Sequence, residues 1–255
     1  MSASDTERIT EKRGGHMFTW SEDGIRWYED AAAWTGYHVR IAEKLSGYLN
    51  PEDEICDVGC GTGSLSAELT STVRKITSVD VDDRALDCLR TKIRNGGISN
   101  IEIRHMDYTC LPEDFCDVVV ACSFGVFAKN GASFLKLAKK RLIMVKRKIL
   151  ASREGFSKDY GRGNMAYMDE KYLQENHIPY RMESYEDDFG QPLRSREDAV
   201  RFTEHYRMNS AEESVDDFLN RRMVSTGDEI FPYYLPNPME SCILIIEKSD
   251  LTCKN

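Results

Sequence analysis

Between Glu54 and Val145 short apolar runs alternate with segments of helical periodicity, and this alternation constrains the fold more than any other feature. Glu54–Val58, Ile76–Val81, Ile101–Arg104, Asp117–Cys122 and Leu142–Val145 read as short buried strands. Between them lie helical stretches. Ser64–Val73 carries Leu65 and Leu69 on one face, Arg84–Asn95 turns Leu86, Leu89 and Ile93 inward, and Ala132–Lys140 follows. Strands alternating with helices of this length form βαβ units, joined by right-handed crossovers into a mostly parallel sheet.

The flanks differ. Residues 1–16 are polar and end in Gly14-Gly15. An aromatic segment follows, with Trp20, Trp27, Tyr28, Trp34 and Tyr37, and a helical pattern through Ile41, Leu45, Tyr48 and Leu49 stops before Pro51. After Lys148, residues 151–165 are polar and glycine-containing and read as a loop. Asp169–Glu175 reads as a helix, Tyr180–Tyr185 as a sixth strand, and Ser195 as the N-cap of a helix through Ala199, Phe202 and Tyr206. Ser210–Met223 reads as another helix and Ser241–Glu247 as the final strand. The expected organisation is residues 1–50 as a flexible segment with covering helices and 51–255 as the main domain, with 151–235 a variable lid region.

Lys and Arg number 34 against 43 Asp and Glu, and this acidic balance of −9 argues against a polyanion as main partner. No apolar run reaches the ~18–20 residues of a membrane span. The polar start predicts no secretory signal, so a cytoplasmic location is expected. None of the eight cysteines forms a Cys-x-x-Cys pair; buried thiols are expected, with no metal site.

The stretch that carries chemistry is Asp57-Val58-Gly59-Cys60-Gly61-Thr62-Gly63-Ser64, a strand end, a glycine turn and a helix start. Glycines let the backbone turn sharply and approach a ligand, and the helix start offers unpaired N–H groups. The spacing is G-x-G-x-G, not the G-x-G-x-x-G of dinucleotide sites, and Asp57 would repel a pyrophosphate. Two more acids, Asp80 and Asp107, follow the second and third strands.

This D-x-G-x-G-x-G pattern resembles motif I of the class I S-adenosylmethionine-dependent methyltransferases, of the small-molecule type 11/25 kind. The resemblance covers residues 50–148 well. It implies a Rossmann-like α/β fold: a seven-stranded, mostly parallel sheet with helices on both faces, an N-terminal helical flap and a helical insertion before the last strand. It implies S-adenosylmethionine as methyl donor and S-adenosylhomocysteine as product. Asp57, Gly59, Cys60, Gly61 and Gly63 would then hold the methionine part and Asp80 the ribose hydroxyls. Asp107 would hold the adenine amino group, with Val81, Met106 and Tyr108 beside the ring and Ser123 at the cleft. Tyr28 and Tyr37 are the aromatic residues expected to reach the cofactor from the flap. One departure is the run Leu137–Val145, which lacks the Gly-Gly turn many members carry before the fifth strand.

The implied reaction is in-line SN2 methyl transfer, driven mainly by proximity, to a small molecule whose accepting atom (O, N, S or C) is left open. RNA or protein methylation, or S-adenosylmethionine binding without catalysis, are the alternatives; nucleic acid is disfavoured by charge, and a monomer or homodimer is expected. A base is needed only for an acceptor of high pKa. Candidates are His38, His105, His177 and His205, with His177 and Tyr160 singled out because they lie in or beside the variable segment. The run Asp187–Arg194 reads as a turn into the Ser195-capped helix; its other reading is a substrate-facing loop with Arg194 engaging an anion.

Overall fold

The computed structural model describes residues 20–148 and 166–252; the expected loop at 151–165, Tyr160 and the stretch before Trp20 lie outside the described residues. In chain order the elements are α1 (Glu22–Thr35), α2 (Tyr37–Ser46), β1 (Glu54–Val58), α3 (Ser64–Glu68), β2 (Lys75–Asp80), α4 (Asp83–Gly96) and β3 (Ile101–His105). Then come β4 (Cys116–Cys122), α5 (Phe127–Leu137), β5 (Ala138–Lys148), α6 (Ala166–Glu175) and β6 (Arg181–Asp188). The rest are β7 (Gln191–Leu193), α7 (Arg196–His205), α8 (Val215–Arg222), β8 (Val224–Ser225), β9 (Tyr233–Leu235), β10 (Pro238–Glu247) and α9 (Lys248–Thr252).

The main sheet has seven strands in the order β3-β2-β1-β4-β5-β10-β6. β1, β2, β3, β4 and β5 pair in parallel, while β10 runs antiparallel to both neighbours. The parallel strands therefore end along one edge, on either side of the switch between β1 and β4, where ligands of such sheets bind.

Period-2 alternation splits the core in two. One face carries Ile55, Ile76, Val118, Val120, Ile143 and Ile243, packed against Ile41 and Leu45 of α2 and Leu65 of α3. The other carries Cys56, Val58, Val79, Val119, Leu142 and Leu244, packed against Phe127 and Phe134 of α5 and Leu173 of α6. Helices thus cover both faces, as expected, because a sheet buried on both sides needs apolar residues at successive positions. A smaller core of Leu193, Ala199, Phe218, Leu219 and Leu235 holds the insertion together.

Several boundaries differ from the sequence reading. The insertion is not only helical: β7, β9 and β8 form a small antiparallel sheet within it. α3 ends at Glu68, not Val73. α5 begins at Phe127 and runs into β5 with no intervening loop, which accounts for the missing glycine pair.

Helix starts follow local chemistry. Ser21, Asp82, Ser195 and Ser214 each accept a backbone N–H from the first turn of α1, α4, α7 and α8. α5 has no such residue at Val126. Its Phe127 N–H donates instead to Asp169 Oδ1, 2.7 Å away, on α6. Asp169 also faces Lys146 Nζ at 3.1 Å; both side chains are fully buried, and burial pulls the Lys146 ammonium below its usual range against the opposing pull of Asp169. Lys146 Nζ donates as well to the Gly125 carbonyl, so one buried ion pair fixes both α5 and the β4–α5 loop.

Candidate active site at the glycine turn

β1 lies inside the sheet, so every residue of Ile55–Val58 is buried, Asp57 included. The chain then turns through Gly59, Gly61 and Gly63 at φ of 68°, 55° and 70°, the left-handed region that disfavours a side chain. Two of the three have a packing reason as well. A Cβ on Gly59 would stand 2.3 Å from the Phe124 ring, and one on Gly63 would stand 2.5 Å from Leu89 of α4. Gly61 lies under Trp20, whose ring would be 3.1 Å from an added Cβ.

Asp80, at the end of β2, ties this turn to its neighbour. Its Oδ2 accepts the Gly61 N–H at 2.8 Å and its Oδ1 the Asp82 N–H at 2.9 Å. Asp57 accepts from Ser66 Oγ at 2.6 Å. Burial pushes the Asp57 carboxyl up to about 6; the Ser66 hydrogen bond opposes this, and the nearby charge of Asp80 adds to it. Burial also raises the Cys60 thiol, helped by the charges of Asp57 and Asp80, so Cys60 stays protonated beside the turn.

The third acid sits one strand further out. The Met106 N–H donates to the Asp80 carbonyl at 3.0 Å, which sets the end of β3 against that of β2. Asp107 then caps a short 3-10 turn at Tyr108–Cys110, its Oδ1 accepting from Thr109 N and Oγ1. Val81 is exposed beside it and Met106 is half-buried. Across the switch, Ser123 adopts a left-handed φ of 52° after β4, and Phe124 packs edge-on against Tyr108 with centroids 5.9 Å apart. Asp57, Asp80, Asp107 and Ser123 thus stand on four strand ends of one sheet edge.

The flap covers this edge. Trp20 N donates to Asp82 Oδ2 at 3.1 Å, and Ser64 Oγ donates to Glu29 Oε1 on α1 at 3.1 Å. On its other side α1 is held by Asp198 of α7, which takes Arg26 at 2.7 Å and Trp27 Nε1 at 3.1 Å. Burial opposes ionisation of Asp198, but these donors, the Arg194 N–H and Arg201 hold it down at about 2.

Tyr28 lies edge-on to Trp20, centroids 5.1 Å apart, and its hydroxyl meets His38 Nε2 at 2.9 Å. Burial, with the nearby Lys92 charge, pulls His38 down to about 3, so the imidazole is neutral at pH 7. Tyr37 is buried in the core against Phe189, and burial raises its hydroxyl pKa well above the ordinary range. Tyr28 and the neutral His38 are thus brought beside the turn, and sequence reasoning had not paired them.

One further candidate needs correction. His177 ends α6 at φ 52°, exposed, on the approach to the first residue of β6. The first residue of β6, Arg181, is in register with Ile143 and Val120 and so level with Asp57, but β6 is the outermost strand, four places from β1, and His177 stands aside from the glycine turn. Arg194 pairs with Asp30, its Nη2 donating to both carboxylate oxygens at 2.7 and 2.8 Å and its Nε at 3.2 Å, and it stacks on Phe231; this fits the reading of Asp187–Arg194 as a turn into the Ser195-capped helix.

The donor set fits S-adenosylmethionine chemically, with separate carboxylates for an ammonium, a ribose diol and an adenine amino group. The space directly over Gly59 is taken by the Phe124 ring, so Phe124 has to turn aside for a ligand to lie along the turn. Two open clefts lie elsewhere, one beside Asp187 and one beside Lys44 and Tyr185. The turn is marked by its backbone and its carboxylates. Among the described residues no cluster of His, Cys, Asp and Glu is arranged to hold a metal, and no helix is long and apolar enough to cross a membrane.

Comparison with known proteins agrees with this geometry. Residues 55–142 match the family described as methyltransferase domain. A protein of Methanosarcina mazei named as a cobalt-precorrin-6B C(15)-methyltransferase (decarboxylating) is 34% identical over 113 residues, 40% of this chain and 58% of its own. The ribosomal RNA small subunit methyltransferase A of Salinibacter ruber is 30% identical over 76 residues, 29% of this chain and 26% of its own. The chain therefore spans less than two thirds of these relatives' lengths. In fold, the YcgJ protein of Bacillus subtilis superposes with a TM-score of 0.55 at 10% identity, covering 83% of this chain and 98% of that one. A candidate methyltransferase of Bacillus halodurans superposes at 0.52 and 15% identity, covering 82% and 98%. The glycine turn lies within the segment, residues 55–142, that matches the methyltransferase-domain family, and the strand order belongs to a Rossmann-like fold shared with these solved structures.

Proposed function

We propose that this chain transfers a methyl group from S-adenosylmethionine to a small-molecule acceptor. The observation that carries the reading is the left-handed glycine turn tied to Asp80 through the Gly61 N–H, with Asp57 buried beneath it. In this reading Asp57 faces the ammonium of the donor, Asp80 its ribose hydroxyls and Asp107 its adenine amino group. Val81, Met106 and Tyr108 flank the base, the turn Gly59, Cys60, Gly61 and Gly63 packs against the methionine part, and Ser123, Tyr28 and Tyr37 border the cleft.

The bound donor supplies a methyl group already activated on a sulfonium. The protein's share is to hold the acceptor in line with that methyl and to exclude water, which can supply several kcal/mol of the barrier. Trp20 and α1 close over the turn and serve the second task. The Tyr28 hydroxyl, held by a neutral His38, is the residue of this chain best placed to orient a polar group there.

Relatives of the matched segment include proteins named for ribosomal RNA as well as for cobalt-precorrin, so the acidic balance alone does not remove RNA from the acceptors. The test is transfer of labelled methyl from S-adenosylmethionine to pooled small molecules, to RNA and to protein extracts. Label in the small-molecule pool supports the proposal. Label in RNA or protein alone contradicts the acceptor class, and donor binding without transfer to any pool contradicts catalysis.

A further inference from the structure

At the end of β6, beyond the glycine turn, an open cleft of about 490 Å³ is lined by Trp34, Arg40, Glu186, Asp187, Asp188 and Tyr234. Its charge is lopsided, with three carboxylates against one guanidinium. The guanidinium is also largely engaged. Arg40 Nε and Nη2 donate to Asp187, Nη2 donates again to the Asp188 carbonyl, and Nη1 donates to the Thr35 carbonyl. Four of its five N–H donors are thus spent within the protein, which leaves one Nη1 N–H against three carboxylates.

The carboxylates are not equally served. Asp188 accepts the Tyr234 hydroxyl on one oxygen and the Asn237 N–H on the other. On Asp187 every donor falls on Oδ1: two from Arg40 and the Asp188 N–H at 2.8 Å. Its Oδ2 has no hydrogen-bond partner among the described residues, although the side chain is only 1% exposed. A buried charged oxygen without a donor is costly, and such atoms are rare in folded proteins. Across the cleft Trp34 is 40% exposed and forms an aromatic wall with Tyr234, centroids 6.2 Å apart at 35°. An exposed indole face beside carboxylates attracts a cation with apolar substituents.

We propose that this cleft binds a protonated primary amine, its ammonium donating to Asp187 Oδ2 and its hydrocarbon body lying on Trp34. The inference does not depend on methyl transfer. It would hold for a chain that failed to bind S-adenosylmethionine.

The test is titration calorimetry of the full chain with 2-phenylethylamine, its quaternary trimethylammonium analogue and the anion 3-phenylpropionate, each with and without S-adenosylhomocysteine. The primary amine should bind with a dissociation constant of about 1 mM or tighter. The quaternary analogue has no N–H for Oδ2 and should bind about tenfold more weakly, and the anion should not bind. Asp187→Asn should weaken the amine about tenfold or more, since the hydrogen bond it loses is charge-assisted. Trp34→Ala, at a half-exposed ring, keeps the fold intact should Asp187→Asn not fold, and it should weaken the amine about threefold. No amine binding, equal binding of the three probes, or unchanged affinity in both variants would overturn the assignment. Loss of S-adenosylhomocysteine binding with amine binding intact would count against the proposed function and leave this site standing.

Discussion

Replacing Asp80 by Asn changes one atom at the centre of the candidate site, and the structure sets the size of the effect. The carboxylate accepts two backbone N–H groups, from Gly61 and Asp82, one on each oxygen. An amide offers one acceptor and one donor, so in either orientation its NH2 faces one of those N–H groups. Loss of one such bond at a half-buried position costs about 1 kcal/mol in stability, a shift of a few degrees in Tm for a domain of this size. The cost to the ligand is larger. A hydrogen bond from a ribose hydroxyl to a carboxylate is worth about 1.5–3 kcal/mol, so the dissociation constant of S-adenosylhomocysteine should rise about tenfold to a hundredfold. Calorimetry gives the affinity, and a thermal melt shows that the variant is folded. 5′-Methylthioadenosine and its 2′-deoxy form sharpen the assay: the deoxy form should bind less well to the natural protein and equally well to Asp80→Asn. Unchanged affinity in a folded variant, or the same deoxy penalty in both proteins, would remove Asp80 from the site.

Asp57 should make ligand binding pH-dependent. Its carboxyl is at about 6, and an arriving ammonium lowers it, so S-adenosylhomocysteine binding near pH 6 should release up to about half a proton, read from the buffer dependence of the binding enthalpy. Between its ordinary 3.8 and about 6 the folded state holds the proton that the unfolded state loses, so this group lowers stability as pH rises, by about 3 kcal/mol in full. Asp57→Asn should therefore raise Tm relative to the natural protein more at pH 7.5 than at pH 4; the reverse order would refute this. Lys146→Met strips the buried Asp169 of its counter-charge and should cost about 3–5 kcal/mol in urea unfolding, most of it recovered in Lys146→Met/Asp169→Asn, whose amide oxygen still accepts the Phe127 N–H. Equal stability of the single and double variants would contradict that account. Gly63→Ala meets Leu89 and a left-handed φ together, whereas Gly97→Ala meets only the φ of 60°, with nothing within 4 Å. The first should cost clearly more than the second, for which about 1 kcal/mol is expected; equal costs would show that Leu89 yields.

What the sequence made legible was local. The strands of the alternating half announce themselves by continuous apolar runs, and the glycine turn by spacing, because both are settled by neighbouring residues. The cap at Ser195 was readable for the same reason. α5 was misplaced at its start because its capping carboxylate, Asp169, lies 42 residues away. The small sheet was missed because β8 has two residues and β7 and β9 three each, too few for a period to show. His177 attracted attention by lying near a variable segment, yet only the place of β6 as the outermost strand, four from β1, sets it aside from the turn. The Phe124 ring on Gly59 and the unserved oxygen of Asp187 are facts of tertiary packing with no signature in sequence.

The most direct measurement is a crystal structure of the chain grown with S-adenosylhomocysteine. The account expects both ribose hydroxyls at about 2.7–3.1 Å from Asp80, the adenine amino group on Asp107, the ammonium on Asp57 directly or through one water, and Phe124 swung off Gly59. Ligand bound away from the β1–α3 turn, or ligand there with its ribose turned from Asp80, would contradict it.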